Sequence, residues 1–171
     1  MKKTVYLLIV LVTLSGCYTK AIQEKSLSMV PLTQYDKVLV LPFECSDTDK
    51  GKLFAHYIYL ELMANYNYLF EDISEDKTIN PKDCFTITGK INDLNMEDRG
   101  IGLISLGRAG NSRLDATIVI KDTETEEVLF TKVVQYSHNP TKPGHYTLID
   151  LFKIAANELA GAIASSKKSI Q

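Results

Sequence analysis

Apolar and polar positions alternate in short blocks along residues 36–166, and their spacing predicts a single α/β domain. The run 37–43 is continuously apolar after Lys37 and is closed by Pro42, as in a strand buried on both faces. A polar turn follows, and a helix is predicted over 50–65. Its expected core stripe, flanked by Phe54 and Ile58, consists of Leu53, Tyr57, Leu60 and Ala64.

The second half of this region is rich in strands. A short strand is predicted over 68–73, and longer ones over 85–91, 114–121 and 128–136. In the second and third of these, apolar and polar residues alternate, so one face of each strand is expected to be covered and the other wet. The polar residues 122–127 are expected to join the last two strands as a hairpin.

A second amphipathic helix closes the chain. Thr147 is a suitable N-cap, and Asp150 stands in the capping-box position three residues later. The expected core stripe consists of Leu148, Leu151, Phe152, Ala155, Leu159, Ala162 and Ile163. Lys167 and Lys168 are expected just past the helix, at the start of a tail over 167–171. The predicted fold is a mixed sheet of about five strands with two main helices on one face, in the order β-α-β-β-β-β-α.

The first seventeen residues have a separate pattern. Lys2 and Lys3 precede an apolar run over 5–14, and Leu14-Ser15-Gly16-Cys17 follows. That order resembles the signal peptide and lipobox of bacterial lipoproteins. It implies export, removal of residues 1–16, and attachment of diacylglycerol and a further acyl chain such as palmitate to Cys17. The apolar run has half of the roughly 20 residues that a membrane-spanning helix needs.

Residues 17–35 are expected to form the lipidated cysteine and a polar tether, although Leu27 to Leu32 could instead pack on the domain. Tyr18 follows the cysteine where an Asp would resemble an inner-membrane retention signal, so the outer membrane is the expected location, with the domain in the periplasm. Several acyl chains hold a protein firmly, whereas one holds it weakly. Without Lys2 and Lys3 the formal charge falls from −2 to −4, which disfavours a nucleic-acid partner.

Four segments carry a wider resemblance, namely 35–43, 88–91, 107–114 and 118–122. Their order resembles a family of small bacterial lipoproteins known as a domain of unknown function. That family is similar in architecture to the TolB amino-terminal domain, the curli-secretion channel lipoprotein and the lipoprotein activators of penicillin-binding proteins. The resemblance implies no catalytic residues. Members usually have glycine in the hairpin where this chain has Glu126.

The same resemblance implies that the first and third strands are parallel neighbours. Cys45 would then follow the end of one strand and Cys84 would open the other, at opposite ends of the sheet. A disulfide needs Cα atoms within about 7 Å. Both cysteines are therefore expected to remain free, even though an oxidising compartment favours pairing.

The glycine-rich segment 99–110 is the strongest candidate for chemistry. Gly102 and Gly107 have P-loop spacing, but Arg108-Ala109 replaces the required Lys-Ser/Thr. A flexible connection between strands is the simpler interpretation. A partner-binding loop is the alternative, and its candidate residues are Ile101, Leu103, Ile104, Leu106 and Arg108.

The histidines do not predict a metal or cofactor site. His138 and His145 flank a proline-rich loop, but no further ligand completes a zinc signature, so no metal site is predicted. His56 is expected on the first helix, between stripe residues, as a residue at the boundary of the buried side, and no cofactor is predicted. The favoured function is a non-enzymatic, lipid-anchored protein that binds or positions another envelope component. An enzyme acting on envelope material and a pore subunit resembling the curli channel are the alternatives.

Overall fold

The computed structural model describes residues 31–95, 112–138 and 147–168 of the 171-residue chain. A short 3-10 helix over Asn67–Leu69 separates the first helix from the second strand. The main elements, in chain order, are β1 (Lys37–Val40), α1 (Thr48–Asn65), β2 (Asp72–Ser74), β3 (Cys84–Asn95), β4 (Ser112–Asp122), β5 (Val128–His138) and α2 (Leu148–Lys168).

The strands form one mixed sheet in the order β2-β1-β3-β4-β5. β1 pairs in parallel with both β2 and β3, and β3, β4 and β5 pair antiparallel. The predicted fold class, a mixed five-stranded sheet with two main helices in the order β-α-β-β-β-β-α, is confirmed. The predicted hairpin over 122–127 also joins β4 to β5.

Local sequence explains where the two helices begin. The Asp47 side chain accepts hydrogen bonds from the backbone N–H groups of Asp49 and Lys50, which caps α1. At α2 the predicted capping box is present, because Thr147 N–H donates to Asp150 Oδ2 and Asp150 N–H donates back to Thr147 Oγ1. Each cap satisfies backbone donors that the first helical turn cannot pair internally.

Both helices pack on the same face of the sheet, and the core lies between them. The Phe54 ring stands 4.8 Å from the ring of Phe43 and 4.9 Å from that of Phe152, so it joins the segment after β1 to α1 and α2. The predicted inward residues of β4 are fully buried, as are most of those expected on α2. These inward residues are Leu114, Ala116, Ile118 and Ile120 on β4, and Leu148, Leu151, Phe152, Ala155, Leu159 and Ile163 on α2.

The stripe predicted for α1 is wrong. Leu53, Leu60 and Ala64 are exposed and Tyr57 is only partly buried. The residues that α1 buries are Gly51, Phe54, Ala55, Ile58 and Leu62. The helix has apolar residues on two opposite sides, so periodicity alone could not decide which side faces the sheet.

The second strand begins later than predicted. The chain leaves α1 through the 3-10 turn, in which Phe70 N–H donates to the carbonyl of Asn67. Tyr68 is exposed in this turn, and β2 covers only Asp72–Ser74. The first residues of the run 68–73 therefore belong to the turn that ends α1, and only its last two residues belong to β2.

A β-bulge at Asn92 resets the faces of β3. Ile91 pairs with Ala116 and Asp93 with Asp115, which leaves Asn92 as the extra residue. As a result Ile91 and Leu94, three residues apart, both belong to the helix-covered side of the sheet. Asn92 points instead to the opposite, helix-free side, called the open face here.

The packed part of the chain extends beyond the predicted limits of 36 and 166. Leu32 and Tyr35 lie in the core, and α2 continues to Lys168. Lys167 and Lys168 thus occupy the last helical turn and do not follow it. Some of the residues expected in the tether are therefore part of the fold.

Candidate functional site

One end of the domain receives the N-terminal segment, and it is called the tether end. Lys167 Nζ donates to the carbonyls of Thr33, at 3.2 Å, and Tyr35, and it forms an ion pair with Asp36 Oδ1 at 2.7 Å. The Lys167 side chain is only 11% exposed and also lies over the Phe70 ring. One buried ammonium therefore fastens the start of β1 to the end of α2.

A second contact closes this end. Tyr35 Oη donates to Asp122 Oδ2 at 2.8 Å, at the end of β4. Backbone N–H groups of Thr125 and Glu124 also donate to Asp122, and these bonds hold the pKa of Asp122 below its ordinary value. Burial raises the pKa of Tyr35, which favours the neutral phenol donor. The carboxylate thus organises the β4–β5 turn and holds Tyr35.

The opposite end of the sheet is called the distal end. It lies about 36 Å away, given a rise of about 3.3 Å per residue over the 12 residues of β3. Asn95 and Ser112 lie there and flank residues 96–111, while His138 and Thr147 flank residues 139–146. The loop predicted to bind a partner, Ile101, Leu103, Ile104, Leu106 and Arg108, lies outside the described residues, and so do Cys17 and His145.

A polar network lies on the open face toward the distal end. Asp115 is its centre: Oδ1 accepts from Asn92 at 3.0 Å and Oδ2 from Gln135 at 2.8 Å. Arg113 lies 3.6 Å from Asp115 and 3.6 Å from Asp93. The Asp115 side chain is 13% exposed, and the donors that it meets are Asn92, Gln135 and Arg113. No sequence motif signals this network, because the bulge that brings Asn92 to it is not visible as a pattern.

The outward side of α1 carries a row of exposed apolar side chains, called the outer stripe. It consists of Leu53, Leu60, Met63 and Ala64, and its three larger members are 36–43% exposed. Beside it, His56 Nδ1 lies 3.0 Å from Glu75 Oε2 and the His56 ring stacks on Tyr59. His56 lies in the middle of α1, where it is exposed and takes part in a polar contact.

The two cysteines of the domain are free thiols in the structure. Cys84 pairs with Lys37, whereas Glu44, next to Cys45, pairs with Lys90. Six residues of β3 separate those positions, which corresponds to about 20 Å. The parallel arrangement of β1 and β3, on which the expectation of unpaired cysteines rests, is thus present. Burial raises the pKa of the Cys84 thiol.

Within residues 31–95, 112–138 and 147–168, no group of three or more His, Cys, Asp or Glu side chains is arranged to hold a metal ion. Over the same ranges, no helix is long and apolar enough to cross a membrane. His138 ends β5, and the second histidine of the proposed pair lies beyond the described part.

Comparison with known proteins finds likeness only at the level of the fold. No protein-family model matches the chain, and no curated protein does. A PelC variant dodecamer from Paraburkholderia phytofirmans is similar over 82% of this chain and 94% of its own, with 14% identity and a TM-score of 0.55. A second PelC dodecamer structure from that organism covers 86% of this chain and 98% of its own, with 13% identity and a TM-score of 0.54.

A candidate lipoprotein from Caulobacter crescentus CB15 covers 82% of this chain and 86% of its own at 12% identity, but with a TM-score of only 0.31. At these identities the comparisons establish the fold and nothing finer. This chain therefore shares the fold of PelC, and the resemblance to TolB and the curli channel stays a prediction.

Proposed function

We propose that this protein is a lipoprotein of the bacterial outer membrane whose periplasmic domain binds or positions another envelope component and has no catalytic role. The observation that carries the proposal is the lipobox Leu14-Ser15-Gly16-Cys17 behind a basic and apolar leader. Acylation of Cys17 would confine a mildly acidic α/β domain to a membrane surface.

The architecture of the domain supports a positioning role. The N-terminal segment is fastened at the tether end by Lys167, and the residues that flank both long connections lie at the distal end. An anchor at one end and two long connections at the other suit a protein that presents a surface while held in place. The partner-binding residues proposed remain Ile101, Leu103, Ile104, Leu106 and Arg108.

The anchor is tested by labelling. Cells that produce the whole chain are grown with radiolabelled palmitate, and the protein is followed through membrane fractionation. We expect label and membrane association for the natural sequence and for Cys45→Ser, and neither for Cys17→Ser. Natural chain that stays unlabelled and in the aqueous fraction contradicts the proposal.

The binding role is tested in intact cells. A photo-crosslinking side chain replaces Leu106 in one variant and Val128, an exposed residue at the tether end, in another. We expect the first variant to form a defined adduct with an envelope component, identified by mass spectrometry, and the second to form none. Equal labelling patterns from the two positions would contradict a partner site in that loop.

A second function, self-assembly into a larger envelope complex, is favoured by one specific observation. Both PelC structures that share this fold are dodecamers. The relevant measurement is the mass of the detergent-solubilised, lipidated protein by sedimentation, with and without dilution. A discrete multiple of the monomer mass supports assembly, and a monomer at every concentration contradicts it.

A further inference from the structure

The outer stripe of α1 is an apolar feature that the described residues leave uncovered. Seven large hydrophobic side chains are exposed in those residues, and four of them lie on α1 and the 3-10 turn that follows it. Leu53, Leu60 and Ala64 recur at helical spacing on the side opposite the buried one. A surface helix of this length normally places polar residues there.

The neighbouring helix provides an internal comparison. α2 packs beside α1 in the same layer, yet its outward positions carry Lys153, Asn157, Ser165 and Lys168. Ile149, at its distal start, is its only large exposed apolar residue among those described. The second apolar side is thus a property of α1 and not of the helix layer as a whole.

The place where the tether joins the domain indicates what covers this stripe. Lys167 binds both Thr33 and Asp36 and lies over the ring of Phe70. At the same corner, Lys168 Nζ contacts Tyr68 Oη at 3.0 Å. Tyr68, 66% exposed, continues the apolar side of α1 toward that corner. Tyrosine and lysine side chains are the residues that settle at a membrane–water interface.

The length of the remaining tether limits how far the domain can move from the proposed lipid anchor. Between Cys17 and Leu32, which is buried in the core, the chain can span at most about 50 Å, given its extended rise per residue. A surface held this close to a bilayer experiences a high effective concentration of lipid, so a weak contact suffices.

Resting on the proposed lipid anchor, we propose that the outer stripe lies on the surface of the bilayer that holds Cys17, with α1 parallel to the membrane plane. Leu53, Leu60 and Met63 enter the boundary between head groups and acyl chains, to a depth of about 5–10 Å. The open face with its Asp115 network then faces away from the membrane. Lys50 and Lys52 are paired with Asp47 and Asp49, so the contact suits zwitterionic phospholipid.

The absence of tryptophan from the chain permits a direct test. Leu60→Trp is prepared in the full, lipidated protein and reconstituted into phosphatidylcholine vesicles whose acyl chains are brominated near the head group. Val133→Trp is the matched control, because Val133 is exposed to a similar degree, 39%, but lies on the open face. We expect bromine to quench the emission of Leu60→Trp and to leave that of Val133→Trp unchanged.

Several results would overturn the proposal. Unquenched emission from both Leu60→Trp and Met63→Trp, in folded protein that floats with the vesicles, excludes the docking but leaves the anchor intact. A blue shift that depends on protein concentration without quenching means that a second copy covers the stripe. Protein that does not float at all contradicts the lipid anchor itself, and the docking with it.

Discussion

Glu126 occupies a backbone conformation that suits glycine. Its φ is +60°, in the left-handed region, within the turn between β4 and β5. A side chain there costs about 1–2 kcal/mol. The substitution of glutamate for the glycine usual in the resembling family is thus a local strain that the turn tolerates, since Asp122 holds the turn by two backbone N–H groups.

The first prediction follows from that strain. Glu126→Gly is expected to raise the free energy of unfolding by about 0.5 kcal/mol, because the relief exceeds the added chain entropy and the lost exposed contact with Lys121. Glu124→Gly in the same turn, where φ is not positive, is expected to lower it. Urea unfolding of both variants measures the difference, and equal effects would contradict the interpretation.

Gly89 is required by close packing. A Cβ at this position would lie 2.0 Å from the carbonyl oxygen of Thr117 and 2.8 Å from the Phe43 ring. Gly89→Ala is therefore expected to lower stability by about 3 kcal/mol, since the nearest atom belongs to the backbone. Gly161→Ala is the control: its Cβ would meet only Tyr66 Oη at 3.6 Å, and alanine favours the helix. Thermal unfolding of the two variants should shift in opposite directions.

The thiols give a third residue-scale prediction. In a Cys17→Ser chain, iodoacetamide is expected to modify Cys45 alone while the protein is folded, and Cys84 as well after unfolding. Cys84 is buried and its pKa is raised by that burial, so little thiolate forms there. Intact mass spectrometry counts the adducts. An unfolded, unreduced protein without any adduct would reveal a disulfide and contradict the expectation that both cysteines stay free.

At the scale of elements, the contact between α2 and the start of β1 depends on Lys167. Lys167→Met is expected to cost about 1.5–3 kcal/mol, because three oxygen atoms lose the ammonium that donates to them. It should also speed hydrogen exchange at the amide of Asp36. Lys168→Met, which removes one contact to exposed Tyr68, should change stability by less than about 0.5 kcal/mol. Similar losses of stability in both variants would mean that the stabilisation comes from positive charge at the end of α2 and not from the specific contacts of Lys167.

Some elements could be predicted from sequence because one signal dominates each. β4 alternates strictly, and α2 combines a capping box with a single apolar side, so their inward residues are predicted correctly except Ala162, which is only partly buried. α1 could be located but not oriented, since both of its sides are apolar. β2 was placed too early, because an exposed tyrosine in a helix exit looks like the start of a strand.

The candidate site was less accessible to sequence reasoning than the fold. The Asp115 network depends on a bulge and on partners from three strands, and the Lys167 contact joins residues more than 130 positions apart. Such long-range pairs leave no periodic trace. The lipobox, by contrast, consists of adjacent residues, so it can be recognised in the sequence without knowledge of the fold.

At the scale of the whole molecule, three carboxylates with lowered pKa values predict sensitivity to acid. The Lys50 side chain lowers the pKa of Asp47, and backbone N–H groups of Thr147 and Thr125 lower those of Asp150 and Asp122. Because the folded pKa lies below the unfolded value of about 3.9, the stabilisation is complete above that pH and is lost as pH falls through the folded pKa.

The corresponding measurement is urea unfolding between pH 7 and pH 2.5. Stability should be level near neutrality and decline below about pH 4. Asp122→Asn should be less stable than the natural chain at pH 7, and the gap should narrow as pH falls toward 2.5, because the Asp122 carboxylate is increasingly protonated. A gap that is constant with pH would show that the carboxylate charge is not what holds the turn.

The parallel position of β1 between β2 and β3 has a mechanical consequence. If the proposed anchor and partner are present, tension between them would draw β1 one way and β3 the other along their common axis. The inter-strand hydrogen bonds lie across that axis, so they would be sheared together and not peeled one after another. An envelope protein built in this way resists pulling best in the direction in which its own anchor would be strained.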